Sequence, residues 1–210
     1  MVRTQIKICG ITRIEDAVAA VTSGADAIGL VFYSKSKRCV APEIAKQICF
    51  AVGPFVTTVG LFVNECKQHV EHVLNEVPLN LLQFHGDEDR QYCESFNRPY
   101  MKAARVRSSS DIQELFKQHP RAVGFLLDAY VEGVPGGTGE RFDWTLIPPE
   151  LRSRCILAGG LNAANVADAI QMIHPLGVDV SGGVESSPGI KSSEKVQAFC
   201  RAVVSTSEGV

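Results

Sequence analysis

Short apolar runs alternate with amphipathic segments along the whole chain of 210 residues. Eight of these runs have the length and composition of buried strands, and the segments between them repeat their apolar positions at helical spacing. The predicted strands span 5–9, 27–32, 57–63, 80–84, 100–105, 123–128, 155–158 and 178–181. The predicted helices span 16–21, 66–76, 88–96, 111–119, 162–173 and 193–204, with another opening at Pro42 and only a short one fitting near 143–150. Asp111, which follows three serines, and Asn162 are predicted to mark helix starts.

Each strand and its following helix occupy about 26 residues, which suits a repeated βα unit and leaves little room for an inserted domain. An open, doubly wound sheet is the alternative to a closed (β/α)₈ barrel. A polar or glycine-rich segment follows nearly every predicted strand, whereas an open sheet concentrates its site at one switch point. The pattern therefore favours an α/β fold, namely a (β/α)₈ TIM barrel that forms a single domain over residues 1–210.

Composition excludes several classes of protein. With 45% hydrophobic residues, 21% charged residues and a net charge of −2, the chain is neither disordered nor basic enough for general nucleic-acid binding. It has no apolar stretch of membrane-spanning length and no signal core at its amino terminus, so we expect a cytoplasmic protein with no membrane contact. The seven cysteines form no Cys-x-x-Cys pair, and His69 and His72 lack a third ligand, so no metal site is expected.

Glycine pairs follow the last two predicted strands, Gly159-Gly160 after the seventh and Ser181-Gly182-Gly183 after the eighth. Glycine lets backbone N–H groups approach an anion closely, and barrels commonly bind phosphate at the loops after strands 7 and 8. Tight turns would explain either pair alone. Because neither GxxxxGK[ST] nor GxGxxG occurs, the two pairs together predict a small phosphorylated metabolite as the ligand.

Cys9 closes the first predicted strand and is the cysteine most suited to chemistry. Alternation places Lys7 and Cys9 on the inner face of the barrel and Ile6 and Ile8 on its outer face. A buried lysine needs a partner, and closure makes strands 1 and 8 neighbours, so we predict an ion pair between Lys7 and Asp179. The nearby ammonium is expected to lower the pKa of the Cys9 thiol, making a thiolate available as base or nucleophile. The other six cysteines are expected to be packing residues.

Three further side chains are candidates for the site. Asp128 ends a buried strand, where it either caps a turn or acts as a general acid whose pKa is raised by apolar surroundings. Arg38 lies in a charged loop after the second strand. This loop is either exposed to solvent, or it lets the Arg38 guanidinium bind a substrate carboxylate with two hydrogen bonds. His85 is either a satisfied interior group or a substrate contact. The segment 133–139 has the composition of a loop that closes over a site.

Six motifs, in order and spanning the chain, together resemble the phosphoribosylanthranilate isomerase family. They are Lys-Ile-Cys-Gly-Ile-Thr at 7–12, Gly-Ala-Asp-Ala-Ile-Gly at 24–29, Leu-Gln-Phe-His-Gly-Asp-Glu at 82–88, Gly-Thr-Gly at 137–139 before Phe-Asp-Trp at 142–144, Leu-Ala-Gly-Gly-Leu-Asn at 157–162 and Asp-Val-Ser-Gly-Gly-Val-Glu at 179–185. The resemblance implies an isomerase of tryptophan biosynthesis that needs no cofactor. Its reaction is the Amadori rearrangement of N-(5-phosphoribosyl)anthranilate to 1-(2-carboxyphenylamino)-1-deoxyribulose 5-phosphate.

The resemblance also implies roles for individual residues. The family's general acid and general base fall on Asp128 and Cys9, and its arginine for the anthranilate carboxylate falls on Arg38. The phosphate cradle falls on the glycines and the serine after strands 7 and 8. Two positions depart from the family pattern. Lys37 replaces a usual proline, so the loop holding Arg38 is expected to be less rigid, and Gly182 replaces a common second serine, which keeps a backbone donor but loses a hydroxyl.

Two other functions remain open at this point. An aldose–ketose isomerase of histidine biosynthesis would share the phosphate cradle, but it is expected to use two aspartates, and Cys9 argues against it. A non-catalytic regulator that binds a phosphorylated metabolite would bind without turnover, yet Cys9 and Asp128 retain the groups that catalysis needs. The chain is expected to be a monomer or a homodimer.

Overall fold

A computed structural model describes residues 3–106, 108–129 and 143–206 of the chain. Eight parallel strands close into a barrel in the order β1 to β8, with β8 paired to β1. The predicted barrel is confirmed, the open sheet is excluded, and every strand lies within one residue of its predicted bounds. The strands are β1 Gln5–Cys9, β2 Ala27–Val31, β3 Thr57–Phe62, β4 Leu81–Phe84, β5 Tyr100–Val106, β6 Gly124–Ala129, β7 Cys155–Leu157 and β8 Gly177–Val180.

Helices connect most of the strands, as the apolar spacing predicts. They are α1 Ile14–Thr22, α2 Pro42–Val52, α3 Lys67–Glu76, α4 Arg90–Glu94, α5 Ser109–Gln118, α6 Val166–Ile173 and α7 Ser193–Ser205. In the described chain between β6 and β7, the weak helix signal corresponds to two short 3₁₀ helices, Trp144–Leu146 and Pro149–Arg154. The predicted loop 133–139 lies outside the described residues.

Local capping decides where α5 and α6 begin. The Ser108 hydroxyl accepts a hydrogen bond from the Asp111 N–H, and the Asp111 carboxylate accepts one from the Ser108 N–H. The predicted helix is present, but it begins at Ser109, two residues before the predicted start at Asp111. The predicted start at Asn162 is wrong, because α6 begins four residues later, at Val166. The Asn162 side chain instead accepts from the Ala164 N–H at 2.9 Å, which stabilises a turn before the helix.

Alternation along β1 sorts its side chains as predicted. Ile6 and Ile8 are fully buried in the apolar layer between the barrel and the helices, whereas Cys9 packs inside the barrel against Val31 and Leu61. The barrel interior below them is filled by a second apolar cluster of Val59, Met101, Ala103, Leu126 and Ala158. Polar side chains at the carboxyl ends of the strands therefore lie above a packed core.

A cavity of about 420 Å³ lies at the opposite, amino-terminal mouth of the barrel. Its lining includes Gln5, Thr57, Leu81 and Gly177, and Phe55 beside it is 98% exposed. Lys7, predicted to lie beside Cys9, also lines this cavity, whereas Cys9, Arg38, His85 and Asp128 do not. The cavity therefore lies on the other side of Lys7 from the residues predicted at the carboxyl-terminal mouth.

A short antiparallel hairpin interrupts the βα repeat between β8 and α7. It consists of β9 Glu185–Ser187 and β10 Ile190–Lys191, and the sequence analysis does not predict it. A 3₁₀ turn, Gly182–Val184, leads into the hairpin from β8. This insertion brings the Glu185 and Lys191 side chains to the carboxyl-terminal mouth, where both are buried.

A buried ion pair ties three neighbouring strands together at the same mouth. Lys102 Nζ lies 3.1 Å from Glu88 Oε2 and 2.6 Å from the Gly86 carbonyl oxygen. The other oxygen of the Glu88 carboxylate accepts from the Asn64 N–H at 2.7 Å. Since Asn64 and Gly86 follow β3 and β4, and Lys102 lies on β5, one pair links the ends of β3 and β4 to β5.

Replacing Lys102 by methionine is expected to lower the free energy of unfolding by about 3–5 kcal/mol, because it leaves a buried carboxylate without its cation. Urea denaturation measures this loss. The control is Lys67→Met, which removes a surface pair with Glu71 at 3.8 Å and is expected to change stability by less than about 0.5 kcal/mol. Equal effects of the two variants would contradict a structural role for the buried pair.

Candidate active site

The first strand presents a buried cation at the carboxyl-terminal mouth. Lys7 on β1 is in register with Asp179 on β8, and Lys7 Nζ lies 2.8 Å from Asp179 Oδ1 with both side chains buried. The predicted ion pair is confirmed. Closure of the barrel produces this contact, because it makes the first and last strands neighbours.

Cys9 lies next to this pair, and glycine at position 29 makes room for it. A Cβ atom built on Gly29 would lie 2.7 Å from Cys9 Sγ and 3.1 Å from Lys7 Nζ, so the thiol and the ammonium share the space above that glycine. Burial raises the pKa of the Cys9 thiol, and although Lys7 and Lys191 lower it, burial outweighs them. The expectation of a net lowered pKa is therefore wrong. The positive charge of Lys7 favours the thiolate, but the thiol is so deeply buried that desolvation has the larger effect on its pKa.

Asp128 and His85 form a second group on the inner face of the barrel. Asp128 ends β6 and is buried, and it shares the inward face with Leu126 of the interior cluster. His85 Nε2 lies 3.7 Å from Asp128 Oδ2, and His85 Nδ1 lies 3.1 Å from the Gln83 side-chain nitrogen. The structure thus brings a carboxyl group and an imidazole together, three strands around the barrel from Cys9.

Arg38 reaches the same mouth from the loop after β2. Its side chain packs so closely on Gly10 that a Cβ atom there would lie 2.5 Å from Arg38 Cδ. Its Nε and Nη2 atoms donate to the two carboxylate oxygens of Glu185 at 2.7 and 2.8 Å. This bidentate pair shows that Arg38 belongs to the mouth rather than to a solvated loop. Glu185 was not predicted as the partner of Arg38, although it ends the motif at 179–185.

The glycine-rich ends of β7 and β8 lie side by side, as a phosphate cradle requires. Gly159 and Gly160 have φ values of 76° and 65°, a left-handed conformation that glycine adopts without strain. A Cβ atom on Gly183 would overlap the carbonyl oxygen of Leu161, so the two loops touch. Gly182 begins the 3₁₀ turn after β8, and a Cβ atom built on Gly182 would lie 3.4 Å from Arg38 Nη2, so this turn lies beside the guanidinium.

Within residues 3–106, 108–129 and 143–206, no group of three His, Cys, Asp or Glu side chains is arranged to hold a metal ion. The side chains at the mouth that can take part in proton transfer are the Cys9 thiol, the Asp128 carboxyl group and the His85 imidazole. Cationic and backbone donors for anions lie beside them. This combination on a (β/α)₈ barrel defines the class of acid–base enzymes that act on small phosphorylated metabolites.

Comparison with known proteins identifies the family within that class. Residues 6–202 match the family model described as N-(5'phosphoribosyl)anthranilate (PRA) isomerase. A protein of that name from Pseudomonas fluorescens Pf-5 is 58% identical over 204 residues, covering 97% of each chain. The chain belongs to the phosphoribosylanthranilate isomerase family.

Solved structures of the same family agree with the fold described above. Phosphoribosylanthranilate isomerase from Thermotoga maritima superposes with a TM-score of 0.88 at 40% identity, covering 96% of this chain and 99% of that one. A further structure holds reduced 1-(o-carboxyphenylamino)-1-deoxyribulose 5-phosphate and superposes with a TM-score of 0.85 at 39% identity, with the same coverage.

Proposed function

We propose that the chain converts N-(5-phosphoribosyl)anthranilate to 1-(2-carboxyphenylamino)-1-deoxyribulose 5-phosphate in tryptophan biosynthesis. The observation that carries this proposal is the Cys9 thiol beside the buried Lys7–Asp179 pair, at the same mouth as Asp128 and His85. Such a site provides a base and an acid on different sides of one substrate. Membership of the family, whose solved member holds a reduced form of this product, agrees with the assignment.

Asp128 begins the reaction as the general acid. Its carboxyl group gives a proton to the ribose ring oxygen while the bond between that oxygen and C1′ breaks. The anilino nitrogen supplies the electron pair that forms the C1′=N bond of the open-chain Schiff base. His85, close to Asp128 Oδ2, contacts the substrate here and orients the carboxyl group.

Cys9 completes the rearrangement as the general base. Its thiolate removes the proton from the sugar C2′ carbon, and the electrons pass to the Schiff-base nitrogen to give an enolamine. Protonation of C1′ and loss of the proton from the C2′ hydroxyl then give the ketone. Lys7 stabilises the thiolate by its charge, as its lowering effect on the pKa of Cys9 indicates. Substrate and product have the same oxidation level overall, so acid and base groups suffice.

Both anionic ends of the substrate have donors at the mouth. The backbone N–H groups of Gly159, Gly160, Gly182 and Gly183, with Ser181, form the cradle for the phosphate. Arg38 is the cation for the anthranilate carboxylate. The near-neutral net charge of −2 is compatible with an anionic substrate because these donors are local.

Loss of the fluorescence of phosphoribosylanthranilate on addition of purified protein tests the assignment directly. Turnover of this substrate, and none of the aminoaldose phosphate intermediate of histidine biosynthesis, is the expected result. Binding of the substrate with no turnover would support a regulator instead. Turnover of the histidine intermediate alone would assign the chain to that other isomerase.

Replacing Gly183 by alanine is expected to raise KM on the order of tenfold or more, with a smaller effect on kcat. The added methyl group overlaps the Leu161 carbonyl, so it must displace the β7 and β8 loops and move phosphate donors away from the ligand. Steady-state kinetics measure the change. Gly124→Ala, where the atom nearest to a Cβ is the flexible end of Ile156 at 3.2 Å and the others lie at ordinary contact distance, is the control with an expected normal KM.

We further propose that residues 1–210 form a single domain in the cytoplasm, as a monomer or a homodimer that binds no nucleic acid. The Thermotoga maritima relative is described as dimeric. Of the described helices, none has the length and apolar content to cross a membrane. Light scattering of the purified chain distinguishes monomer from dimer.

A further inference from the structure

Glu185 binds one edge of the Arg38 guanidinium and leaves the other edge available. Glu185 Oε1 accepts from Arg38 Nε at 2.7 Å, and Oε2 accepts from Nη2 at 2.8 Å. A guanidinium has five N–H donors in a rigid plane, so this contact uses two of them and leaves the pair on Nη1 and one on Nη2. No described residue accepts a hydrogen bond from Nη1. That remaining edge has the fork geometry that a second carboxylate requires.

The Glu185 carboxylate is itself held firmly from behind. Lys191 Nζ lies 2.9 Å from Glu185 Oε1, and Lys195 Nζ donates to the Glu185 carbonyl oxygen at 2.8 Å. The Lys191 N–H donates to Asp16 Oδ2 at 3.0 Å, which anchors the hairpin to α1. Burial alone would raise the pKa of Glu185, but hydrogen bonds from Arg38 and the charge of Lys191 lower it overall. Glu185 is therefore an ionised, fixed anchor.

The same hairpin also reaches the phosphate cradle. Lys191 Nζ donates to the Ser181 carbonyl oxygen at 3.2 Å and to Ser181 Oγ at 3.3 Å. Its side chain is 1% exposed, so it lies behind the cradle rather than in contact with solvent. Arg38 and Lys191 carry two positive charges and Glu185 carries one negative charge, so the cluster keeps one net positive charge. This charge favours an anion in front of the cluster.

We propose that the β9–β10 hairpin is the positioning element for both anion sites, with Glu185 orienting Arg38 toward the substrate carboxylate and Lys191 fixing Ser181 in the phosphate cradle. Glu185 and Lys191 are positioning residues, because they act through Arg38 and Ser181 and do not touch the reacting carbons. The proposal rests on the function proposed above.

A double-mutant cycle between Glu185 and Arg38 tests the first half of the proposal. Glu185→Gln keeps the side-chain shape but removes the charge, so KM is expected to rise on the order of tenfold while kcat changes little. Arg38→Met is expected to raise KM by at least as much. In the Arg38→Met background, Glu185→Gln should have no further effect on KM, because residues that act as a unit are not additive. The Kd of reduced 1-(o-carboxyphenylamino)-1-deoxyribulose 5-phosphate, measured by calorimetry, should follow the same pattern.

Two further variants serve as controls for the double-mutant cycle. Glu194→Gln makes the same chemical change on the exposed first turn of α7 and should leave KM unchanged. Glu185→Asp keeps the charge but shortens the side chain by one methylene, so an intermediate rise in KM is expected if orientation matters. Should Glu185→Gln not fold, Glu185→Asp carries the cycle in its place. A fall in KM on losing Glu185 would mean that it competes with the substrate for Arg38, which overturns the proposal.

The second half predicts that Lys191→Met raises the inhibition constant of inorganic phosphate severalfold, whereas Glu185→Gln changes it little. Ser181→Ala, which loses the same Nζ–Oγ contact without leaving a buried charge unpaired, should shift that constant in the same direction. No effect of either variant on phosphate inhibition would overturn this half. If Arg38→Met leaves KM unchanged, the role of Arg38 in the proposed function fails. If Arg38→Met raises KM but the two changes prove additive, only the positioning role of Glu185 fails.

Discussion

Replacing Cys9 by serine is expected to reduce kcat by at least about 100-fold, the usual effect of losing a positioned general base. Serine fills nearly the same volume above Gly29, so the barrel and the Lys7–Asp179 pair should remain intact. A hydroxyl is a much weaker acid than a thiol, and the charge of Lys7 does not ionise it near neutral pH. KM should change far less than kcat, because Cys9 acts on the C2′ proton and does not hold the phosphate or the carboxylate.

The control for this variant is Cys66→Ser at an exposed cysteine that precedes α3. Serine is a good residue at a helix start, so activity there should be normal and stability equal or higher. Turnover of Cys9→Ser within a few fold of the wild type would contradict the assignment of the base.

The pH dependence of the wild type gives a second check on Cys9. The base works only as the thiolate, and burial raises the pKa of this thiol. The thiolate fraction, and with it kcat/KM, should therefore still be increasing with pH through neutrality and into the alkaline range. The Cys9→Ser variant should lose this ascending limb. Because kcat/KM reports the free enzyme, a profile that is flat above pH 7 would contradict this prediction and would mean that Lys7 and Lys191 lower the pKa of Cys9 more than burial raises it.

Alternation and closure made much of this site predictable from sequence. Period-2 alternation along β1 separates Ile6 and Ile8 from Lys7 and Cys9, because outward residues must meet helices and inward residues must meet the site. Once eight strands form a closed barrel, β1 and β8 are neighbours, and Lys7 finds Asp179 by register. These conclusions depend only on the local spacing of residues and on the order of the strands, and both can be read from the sequence.

Features that depend on three-dimensional packing were not predictable in the same way. The net direction of the Cys9 pKa is a balance between burial and nearby cations, and sequence shows the cations but not the depth of burial. Glu185 and Lys191 belong to a hairpin of five strand residues, too short to give a periodic signal. Helix α6 begins later than predicted because the Asn162 side chain forms a turn with Ala164. This hydrogen bond is a competing use of the side chain that was expected to cap the helix.

Replacing Asp128 by asparagine is expected to lower kcat by at least about 100-fold as well, since an amide has the same shape but no acidic proton to give the ring oxygen. Asp89→Asn is the control: Asp89 is exposed and accepts from the Tyr92 N–H at the start of α4, a role that asparagine fills equally well. Normal turnover of Asp128→Asn, or a change in KM alone, would make Asp128 a binding group and not the acid.

An isotope experiment separates the two catalytic roles, because the acid and the base act on different bonds. With substrate deuterated at C2′, Cys9→Ser should show a primary isotope effect on kcat, since removal of that hydrogen becomes the slow step. Asp128→Asn should show none, since ring opening becomes slow before the C2′ bond is touched. The reverse pattern would exchange the roles of the two residues. The same effect in both variants would place Asp128 and Cys9 in one proton-transfer step, which their positions three strands apart around the barrel argue against.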